Sequence, residues 1–390
     1  MKHDNDIVIA GGGLAGLTLA CALAPTGARM AVSEASPPQA DRPPSFDDRA
    51  IALAHGSRLI FEGLGLWDGI APCATPIRKI HISERGKFGF THLDATEEQV
   101  PALGYVAPAR DLGRALMARF DATGIAHLRP ARLIDFNTEE GGITLSVDSA
   151  GNASKITAKL LVAADGGQSQ IRDRLGIKVR RWDYGHTAIV SNLGPGKPQN
   201  NIAYERFTSD GPLALLPMTD NRFGVVLTVP TAQHEEILSL DDSDFLGLLQ
   251  ERFGYRCGRF QRIGSRSAYP LSLITAKESV RQRVALLGNA AHTLHPVSGQ
   301  GFNLGLRDVA VLVDVIAGAL KLGEDPGEER ILQAYASERQ SDQRNMAMVT
   351  DGLARLFSNP LSVITTGRNI GLLAADLLPG IRHQIARHAM

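Results

Sequence analysis

Two glycine-rich turns in this chain have the residue types and the spacing needed to bind an anionic ligand. The first, Gly11-Gly12-Gly13-Leu14-Ala15-Gly16, follows the apolar run Ile7–Ala10. The second, Gly299-Gln300-Gly301, precedes a segment with helical apolar periodicity from Val309 to Leu320. Glycines before a helix let backbone N–H groups approach a ligand, and the helix dipole favours negative charge there. Both turns are therefore candidate ligand sites, although the second is equally typical of an ordinary glycine-rich turn.

The first turn has the context of a dinucleotide-binding fingerprint. It lies between a predicted strand and a predicted helix, and Glu34 ends the next predicted strand about 20 residues further on. In such a unit Gly11 makes the turn, Gly13 admits the pyrophosphate, and Gly16 lets the helix pack on the strand. Glu34 is placed to accept hydrogen bonds from ribose hydroxyls, and its charge would repel a 2′-phosphate. The pattern therefore predicts the adenosine of FAD or of NAD.

A third turn, Asp165-Gly166, follows the apolar run Lys159–Ala164 and precedes a polar helix start. Its order of strand, turn and helix repeats that of the first turn, and it predicts a second place where the end of a strand meets the ligand. A plain turn with Ser169 as the helix N-cap explains the same residues equally well.

Arginines precede two further predicted helices. Arg49 comes before the run Ala50–Leu53, which we interpret as the start of a helix, and by itself it is also typical of a solvated cap. Arg110 comes directly before Asp111, a candidate N-cap of the helix that follows.

Length, composition and charge exclude several classes of protein. A chain of 390 residues is too long for one ordinary domain, and 44% hydrophobic with 21% charged residues describes a globular protein with an ample core. Lys plus Arg and Asp plus Glu are equal at 41 each, which argues against nucleic acid as a partner. The three cysteines form no CxxC pair, and no window reaches the roughly 18 apolar residues of a membrane span. We expect a cytoplasmic protein that at most lies on the inner face of a membrane.

Three separated motifs together resemble one family. They are GGGLAG at residues 11–16, DGGQSQIR at 165–172 and LLGNAAHTLHPVSGQGFNLGLRD at 286–308. They resemble the class A flavoprotein monooxygenases, which share the fold of p-hydroxybenzoate hydroxylase. Residues 295–308, together with residues 48–53 and 351–357, are similar to the ubiquinone-biosynthesis hydroxylases of that class, in particular the 2-polyprenyl-6-methoxyphenol hydroxylase branch. The resemblance extends over essentially the whole chain.

The resemblance implies an α/β fold, with a Rossmann-type FAD-binding domain, an inserted β-sheet substrate domain and C-terminal helices. Residues 1–76, 100–178 and 271–348 would form a discontinuous FAD-binding domain. Residues 77–99 and 179–270 would form the substrate domain, in agreement with the β-rich pattern from Arg180 to Pro270. Residues 349–390 would be a helical tail.

The resemblance also assigns residues to the cofactor. Gly11, Gly13, Leu14, Ala15, Gly16 and Glu34 would hold the ADP half of FAD, and Arg49, Arg110, Asp165 and Asn289 its central part. Most class A enzymes have Asp where this chain has Asn289, and an amide can still bind a ribityl hydroxyl or a phosphate. Gly299, Gln300, Gly301, Phe302 and Asn303 would line the flavin. The flavin-face loop residues Pro296, Gly299 and Gln300 would be the catalytic ones, without an obligatory side-chain base.

The implied reaction is hydroxylation of the aromatic ring of a polyprenylated phenol in ubiquinone biosynthesis. NAD(P)H reduces FAD, O₂ adds at flavin C4a, and the hydroperoxide transfers oxygen to the phenol ring. Two alternatives stay open: an FAD-dependent hydroxylase of a soluble aromatic compound, and a non-catalytic FAD-binding component of a ubiquinone-synthesis complex. His292 and His295 have the spacing of metal ligands, but their place in the flavin loop argues against a metal. The apolar, basic-ended tail suits either contact with a membrane or partner complex, or packing on the FAD-binding domain.

Overall fold

A computed structural model describes residues 3–37, 49–294, 299–358, 376 and 378–390 of the chain. The α-helices among them are α1 (Leu14–Leu23), α2 (His55–Gly63), α3 (Trp67–Ile70), α4 (Ala109–Asp121), α5 (Gln170–Arg174), α6 (His234–Ser239), α7 (Asp242–Phe253), α8 (Gln300–Lys321), α9 (Glu329–Ser358) and α10 (Pro379–Ala389).

The β-strands of the described residues fall into four sheets. In chain order they are β1 (Ile7–Ala10), β2 (Met30–Ser33), β3 (Ala50–Ala54), β4 (Thr75–Ile77), β5 (Lys79–Glu84), β6 (Phe90–Asp94), β7 (Gly104–Pro108), β8 (Ala126–Leu128), β9 (Arg132–Glu139), β10 (Gly142–Ser149), β11 (Asn152–Ala158), β12 (Leu160–Ala163), β13 (Val179–Gly194), β14 (Ile202–Thr208), β15 (Gly211–Met218), β16 (Arg222–Pro230), β17 (Arg262–Ile263), β18 (Ser267–Ala276), β19 (Val280–Arg281), β20 (Val284–Leu286) and β21 (His292–Thr293).

A six-stranded sheet with the order β19-β20-β12-β1-β2-β8 forms the centre of the first half of the fold. All neighbouring strands from β20 to β8 are parallel. The alternating residues of β1 pack in opposite directions, Ile7 and Ile9 against α1, α4 and α8, and Val8 and Ala10 towards the antiparallel sheet β11-β10-β9. Both faces are therefore buried, which is why these strands are almost entirely apolar.

A nine-stranded sheet forms the second half of the fold, in the order β21-β18-β13-β16-β15-β14-β5-β6 with β17 paired to β13. Its outer face packs on α7, through residues such as Leu215 and Val225 against Phe245. Its inner face carries Ala203 and packs on the small sheet β3-β7-β4. Both segments predicted to form the substrate domain supply strands to this sheet, and the domain division itself stays our prediction.

The predicted helix at Ala50–Leu53 is wrong. Ala50–Ala54 is strand β3, paired antiparallel with β7, and helix α2 begins only at His55. The periodicity of so short an apolar run does not distinguish a strand from a helix, and the pairing with a strand 55 residues later decides between them.

The two predicted N-caps differ in outcome. Asp111 is not a cap, because α4 begins at Ala109 and Asp111 lies within the first helical turn, where its charge still favours the helix dipole. Ser169 is the N-cap of α5, and its hydroxyl accepts the N–H of Arg172 at 3.0 Å.

The C-terminal helix α10 packs on the chain next to β6. Ala386 is fully buried in a cluster with Leu93 and Leu103. An ion pair of 3.0 Å joins Arg382 to Glu97. Of the predicted tail, residues 359–375 and 377 lie outside the described residues. None of the helices that the structure describes combines the length and the apolarity needed to span a bilayer.

A buried ionic network anchors α8, the helix that follows the second glycine-rich turn. The Asp308 carboxylate is fully buried; one oxygen lies 2.5 Å from Nε2 of His292, and the other accepts from Nε of Arg339 at 2.7 Å and from Gln343 at 2.9 Å. Burial raises the pKa of Asp308, but the charges of His292 and Arg339 outweigh it and hold the pKa below its ordinary value. Because His292 lies in β21, the network ties this strand to α8 and α9.

We expect Asp308→Asn to lower the free energy of unfolding at pH 7 by about 3 kcal/mol, because Arg339 and His292 lose the buried Asp308 charge and Arg339 keeps only the partly exposed Asp342, 2.7 Å away. A carboxyl group whose pKa is lowered by folding stabilises the fold at pH values above its pKa in the unfolded chain, which is about 3.9 for Asp. This stabilisation disappears as the pH falls through the pKa that the group has in the folded protein. The difference between wild type and variant should therefore shrink below about pH 4. Urea unfolding of both proteins at pH 7 and below about pH 4 measures this difference in stability. Asp314→Asn, at an exposed position on the same helix, is the control and should change stability little; equal losses in both variants would contradict the network's role.

Candidate functional site

Two of the predicted ligand turns, and the turn that carries Asn289, meet at one edge of the six-stranded sheet. Strands β1, β12 and β20 are adjacent and parallel, so their carboxyl ends point the same way. These ends lead into Gly11–Gly16, Asp165–Gly167 and Gly288–Ala291. The residues that the sequence separates by more than 100 positions therefore surround one crevice, the place where open α/β sheets bind their ligands.

The glycines of the first turn fit the shape that a dinucleotide requires. Gly11 has a φ of +116°, and a Cβ atom there would collide with the carbonyl of Ala164. A Cβ on Gly16 would collide with the carbonyl of Gly11, so α1 packs directly on the turn. At Gly13, by contrast, a Cβ would meet nothing within 4 Å. The protein itself does not require glycine at position 13, and that open space lies at the N-terminus of α1, where a phosphate is favoured.

Glu34 follows β2 and connects the first turn to the end of that strand. One carboxylate oxygen accepts the N–H of Gly12 at 2.8 Å, and the other accepts the N–H of Ser36 at 2.9 Å. A carboxylate can accept about four hydrogen bonds, so the half-buried side chain keeps capacity for two hydroxyl groups. This placement fits the role that we predicted towards ribose.

Asp165 lies at the end of β12, with its backbone nitrogen close to Gly11. Its Oδ2 atom accepts the N–H of Ile171 at 3.3 Å, whereas Oδ1 is buried without a hydrogen-bond partner among the described residues. Burial raises the pKa of this carboxyl and outweighs the hydrogen bonds it accepts. A buried acceptor without a donor is what a ligand hydroxyl would satisfy.

Arg172 joins two of the turns and was not singled out by sequence reasoning. Its side chain is only 1% exposed, and its guanidinium donates to the carbonyls of Gly167 and Ala290, both at 3.1 Å. Planar guanidinium groups are suited to such forked bonds. The signal in the sequence was an arginine inside a motif otherwise made of small and polar residues, but its partner at position 290 became visible only in the fold.

The second glycine-rich turn caps α8. Gly299 is left-handed, with a φ of +65°, and a Cβ there would lie 2.9 Å from that of Ala52. A Cβ on Gly301 would meet nothing within 4 Å, and Gln300 is buried. The N–H groups of the first turn of α8 are thus accessible to a ligand beside Gly301. Pro296, the remaining predicted catalytic residue, lies outside the described residues, as does His295.

Two predicted flavin-lining residues direct their side chains into the protein. All the bonds of the Asn303 amide are internal: it accepts from Ala54 N–H at 2.9 Å and from Ser57 Oγ at 2.6 Å, and it donates to the carbonyls of Ala52 and Gly299. Phe302 packs on Phe61, with the ring centroids 6.4 Å apart. Asn303 therefore positions Gly299 relative to β3, and a cofactor contact at positions 302 and 303 would come from the backbone.

The predicted contacts to the middle of FAD are spread around the same crevice. The Arg49 guanidinium lies over the ring of Tyr269, 4.5 Å from its centroid, and so bridges β3 and the large sheet. Arg110 is the second residue of α4, with Nε 3.7 Å from Asp111. Asn289 has an exposed side chain next to Ala290, in the turn that follows β20.

Part of the inner face of the large sheet stays accessible beside the small sheet β3-β7-β4, and we call this part the chamber. One row of cross-strand neighbours on that face is partly exposed in every member, whereas the rows on both sides contain fully buried residues. We call it the open row: Ile82, Glu205, Ala214, Val226 and Val190. Four of its five members are apolar. The sequence pattern did not single out Glu205, the one ionisable member.

Across the residues that the structure describes, no group of three His, Cys, Asp or Glu side chains is arranged to hold a metal ion. His292 is engaged by Asp308, on the side of the loop that faces α8.

Sequence comparison finds relatives along the entire chain. The ubiquinone hydroxylase UbiL of Rhodospirillum rubrum is 36% identical over 386 residues, covering 99% of this chain and 89% of the relative. The 3-demethoxyubiquinol 3-hydroxylase of Escherichia coli is 32% identical, covering 100% of this chain and 99% of the relative.

Structural comparison finds the same architecture in p-nitrophenol 4-monooxygenase PnpA from Pseudomonas putida. The TM-score is 0.82 with 17% identity, and the match covers 100% of this chain and 98% of that one. At this identity the likeness concerns the fold, which is α/β with the large sheet next to the nucleotide-binding sheet. The sequence profile described as FAD binding domain matches residues 4–350, and with relatives above 30% identity along its length, this chain belongs to that FAD-binding family.

Proposed function

We propose that this protein is an FAD-dependent monooxygenase that hydroxylates the ring of a polyprenylated phenol in ubiquinone biosynthesis. The observation that carries the proposal is the convergence of the three turns beside the chamber of the open row. The names of the two relatives, a ubiquinone hydroxylase and a 3-demethoxyubiquinol 3-hydroxylase, support the substrate class. The balanced reaction consumes phenol, O₂, NAD(P)H and a proton, and yields the hydroxylated phenol, NAD(P)⁺ and water.

The residues present fit FAD. The open space at Gly13 would receive the pyrophosphate, Glu34 the adenosine ribose, and the buried Oδ1 of Asp165 a hydroxyl of the ribityl chain. Bound FAD would supply electron transfer from NAD(P)H and activation of O₂. The N-terminus of α8 at Gly299–Gly301 would stabilise negative charge on the ring system through its N–H groups.

The chamber suits an aromatic ring that carries an apolar substituent. Its open row presents Ile82, Ala214, Val226 and Val190, and apolar walls orient a ring while excluding water from the reacting atoms. A prenyl chain would extend from the ring along this face towards solvent or a bilayer.

We further propose that the protein meets its lipid substrate at a membrane surface or within a ubiquinone-synthesis complex. The support is the apolar and basic composition of the tail. Cosedimentation of the full chain with anionic and neutral vesicles tests the membrane contact, and binding to neither would contradict it.

We expect Gly13→Ala to weaken FAD binding at least roughly tenfold, which corresponds to about 1.4 kcal/mol, with little change in the Tm of the protein without FAD. The reason is that the added methyl group meets no protein atom but enters the space proposed for the pyrophosphate. Titration with FAD, followed by flavin fluorescence, measures the change. Gly69→Ala, also at a position with open space but in α3, is the matched control; equal FAD affinity in both variants would contradict the assigned site.

We expect the FAD-loaded protein to oxidise NAD(P)H faster when a phenol with a short prenyl chain is present, and to form a product heavier by one oxygen atom. Mass spectrometry with ¹⁸O₂ identifies the source of that oxygen. A soluble phenol without the prenyl group should have a lower kcat/KM, because it leaves the apolar chamber partly empty. A preference for the soluble phenol would favour a hydroxylase of soluble aromatics. Absence of any oxygenated product would favour a non-catalytic FAD-binding component.

A further inference from the structure

Glu205 places a carboxylate in the open row, between Ile82 and Ala214. Its neighbours on β14, Tyr204 and Arg206, point to the outer face: Tyr204 packs in the α7 core and Arg206 donates to the carbonyl of Arg252 on α7. Successive strand residues point to opposite faces, so Glu205 points to the inner face. Its cross-strand neighbours there are Ile82 and Ala214.

The position of Glu205 relative to the predicted flavin loop follows from the contacts of β3. A Cβ atom on Gly224 would collide with Ala50, so Ala50 covers the row that contains Gly224. Arg49 lies over Tyr269 and covers the row on the other side of the open row. Two residues further along β3, Ala52 contacts Gly299. Glu205 is two strands across and two residues along from Gly224, about 12 Å by strand geometry. Strand β3 therefore places Gly299 and the open row on the same side of the large sheet, the side that Glu205 faces.

Nothing in the described part of the chain compensates this carboxylate. No described residue donates a hydrogen bond to it or forms an ion pair with it, and burial alone raises the pKa of Glu205 to about 7. Other ionisable groups on this face or on elements packed over it include Glu84, Arg222, His186, Tyr269, Arg49 and Asp351, and none of them contributes to the shift. Arg222 pairs with Asp220 and Asp351 accepts from Tyr184. A partly accessible carboxylate kept among apolar side chains is typical of a functional site.

We propose that Glu205 binds the phenolic hydroxyl of the substrate and accepts its proton during hydroxylation. The inference rests on the proposed function and names the residue that selects and activates a phenol. The O–H bond breaks, the proton forms an O–H bond on Glu205, and the electron pair stays on the phenolate oxygen. That charge raises electron density at the ring carbons ortho and para to it, which receive the oxygen atom. When the attacked carbon loses its hydrogen as a proton to water and the ring regains aromaticity, Glu205 returns its proton to the first oxygen.

The central test is the pH dependence of hydroxylation in Glu205→Gln, which keeps the size of the side chain and removes the base. For the wild type, kcat with a short-chain prenylated phenol should rise as the pH increases through about 7. In the variant this rise should vanish, and kcat at pH 7.5 should fall by about 10²–10⁴-fold, the usual contribution of general acid–base catalysis. Glu205→Asp should restore part of the rise. Glu251→Gln, which removes an exposed carboxylate on the opposite side of the sheet, should behave as the wild type.

A second readout does not need turnover. Binding of the phenol to the oxidised wild-type protein should produce the ultraviolet difference spectrum of a phenolate at pH 7.5, and Glu205→Gln should bind the neutral phenol. A phenol already ionised by a nitro group should lose much less kcat on the substitution than an ordinary phenol does. Equal losses for both phenols, or no phenolate spectrum in the wild type, would overturn the proposal.

Thermal stability provides a third readout. The sign of the change in Tm on substitution of Glu205 distinguishes a functional role from a structural one. A raised carboxyl pKa costs stability once the pH exceeds the pKa of the unfolded chain, and the cost grows until the folded pKa is passed. Glu205→Gln should therefore have a higher Tm than the wild type at pH 8 and a nearly equal Tm at pH 4, below the pKa of about 4.3 of an unfolded glutamate. A lower Tm at pH 8 would show that the carboxylate holds the fold together and would overturn the proposal.

The outcomes separate this inference from the function on which it rests. A wild-type protein that binds FAD but forms no oxygenated product contradicts the proposed function. Wild-type turnover with an unchanged pH profile in Glu205→Gln contradicts only the role of Glu205, provided that flavin absorbance shows equal FAD content.

Discussion

The parallel alignment of β1, β12 and β20 is the constraint on which the rest of the structure depends. Parallel strands must be connected by long crossovers, and their carboxyl ends then meet at a single edge. In this protein the crossovers contain whole structural units: the connection from β12 to β20 includes most of the large sheet. The same constraint that brings three turns together therefore places the open row of the large sheet beside them.

The nucleotide-binding crevice relies more on backbone geometry than on reactive side chains. Gly11 and Gly16 allow the turn and the helix to touch, and Arg172 joins the Asp165–Gly167 turn to the Gly288–Ala291 turn through their carbonyls. Asn303 does the same between α8 and β3. Such cross-links keep N–H groups oriented towards a ligand before it binds, so binding does not have to order them.

Two carboxylates, Asp308 fully buried and Glu205 partly buried, show how the environment decides whether a charge serves the fold or the chemistry. Asp308 is surrounded by His292, Arg339 and Gln343, which hold the pKa low and make the charge part of the fold. Glu205 has only apolar neighbours in its row, and burial raises its pKa to about 7. The first charge stabilises the protein at neutral pH, whereas the second opposes folding there. We infer that the second is retained for the substrate, because it brings no stability in exchange.

Local sequence patterns are enough to predict the nucleotide-binding unit, the family that the motifs resemble and the α/β class of the fold. Local spacing is sufficient for these, because a strand, a glycine turn and a helix within 30 residues are specified by neighbours in the chain. Features that depend on contacts between residues far apart in the chain could be identified only in the tertiary structure. Ala50–Ala54 became a strand because β7 pairs with it, and α8 begins at Gln300, nine residues before the apolar periodicity, because Asn303 and Asp308 are held by other elements. Arg172 and Glu205 acquired their places through contacts over more than 100 residues and through strand register, respectively, and no local pattern encodes either.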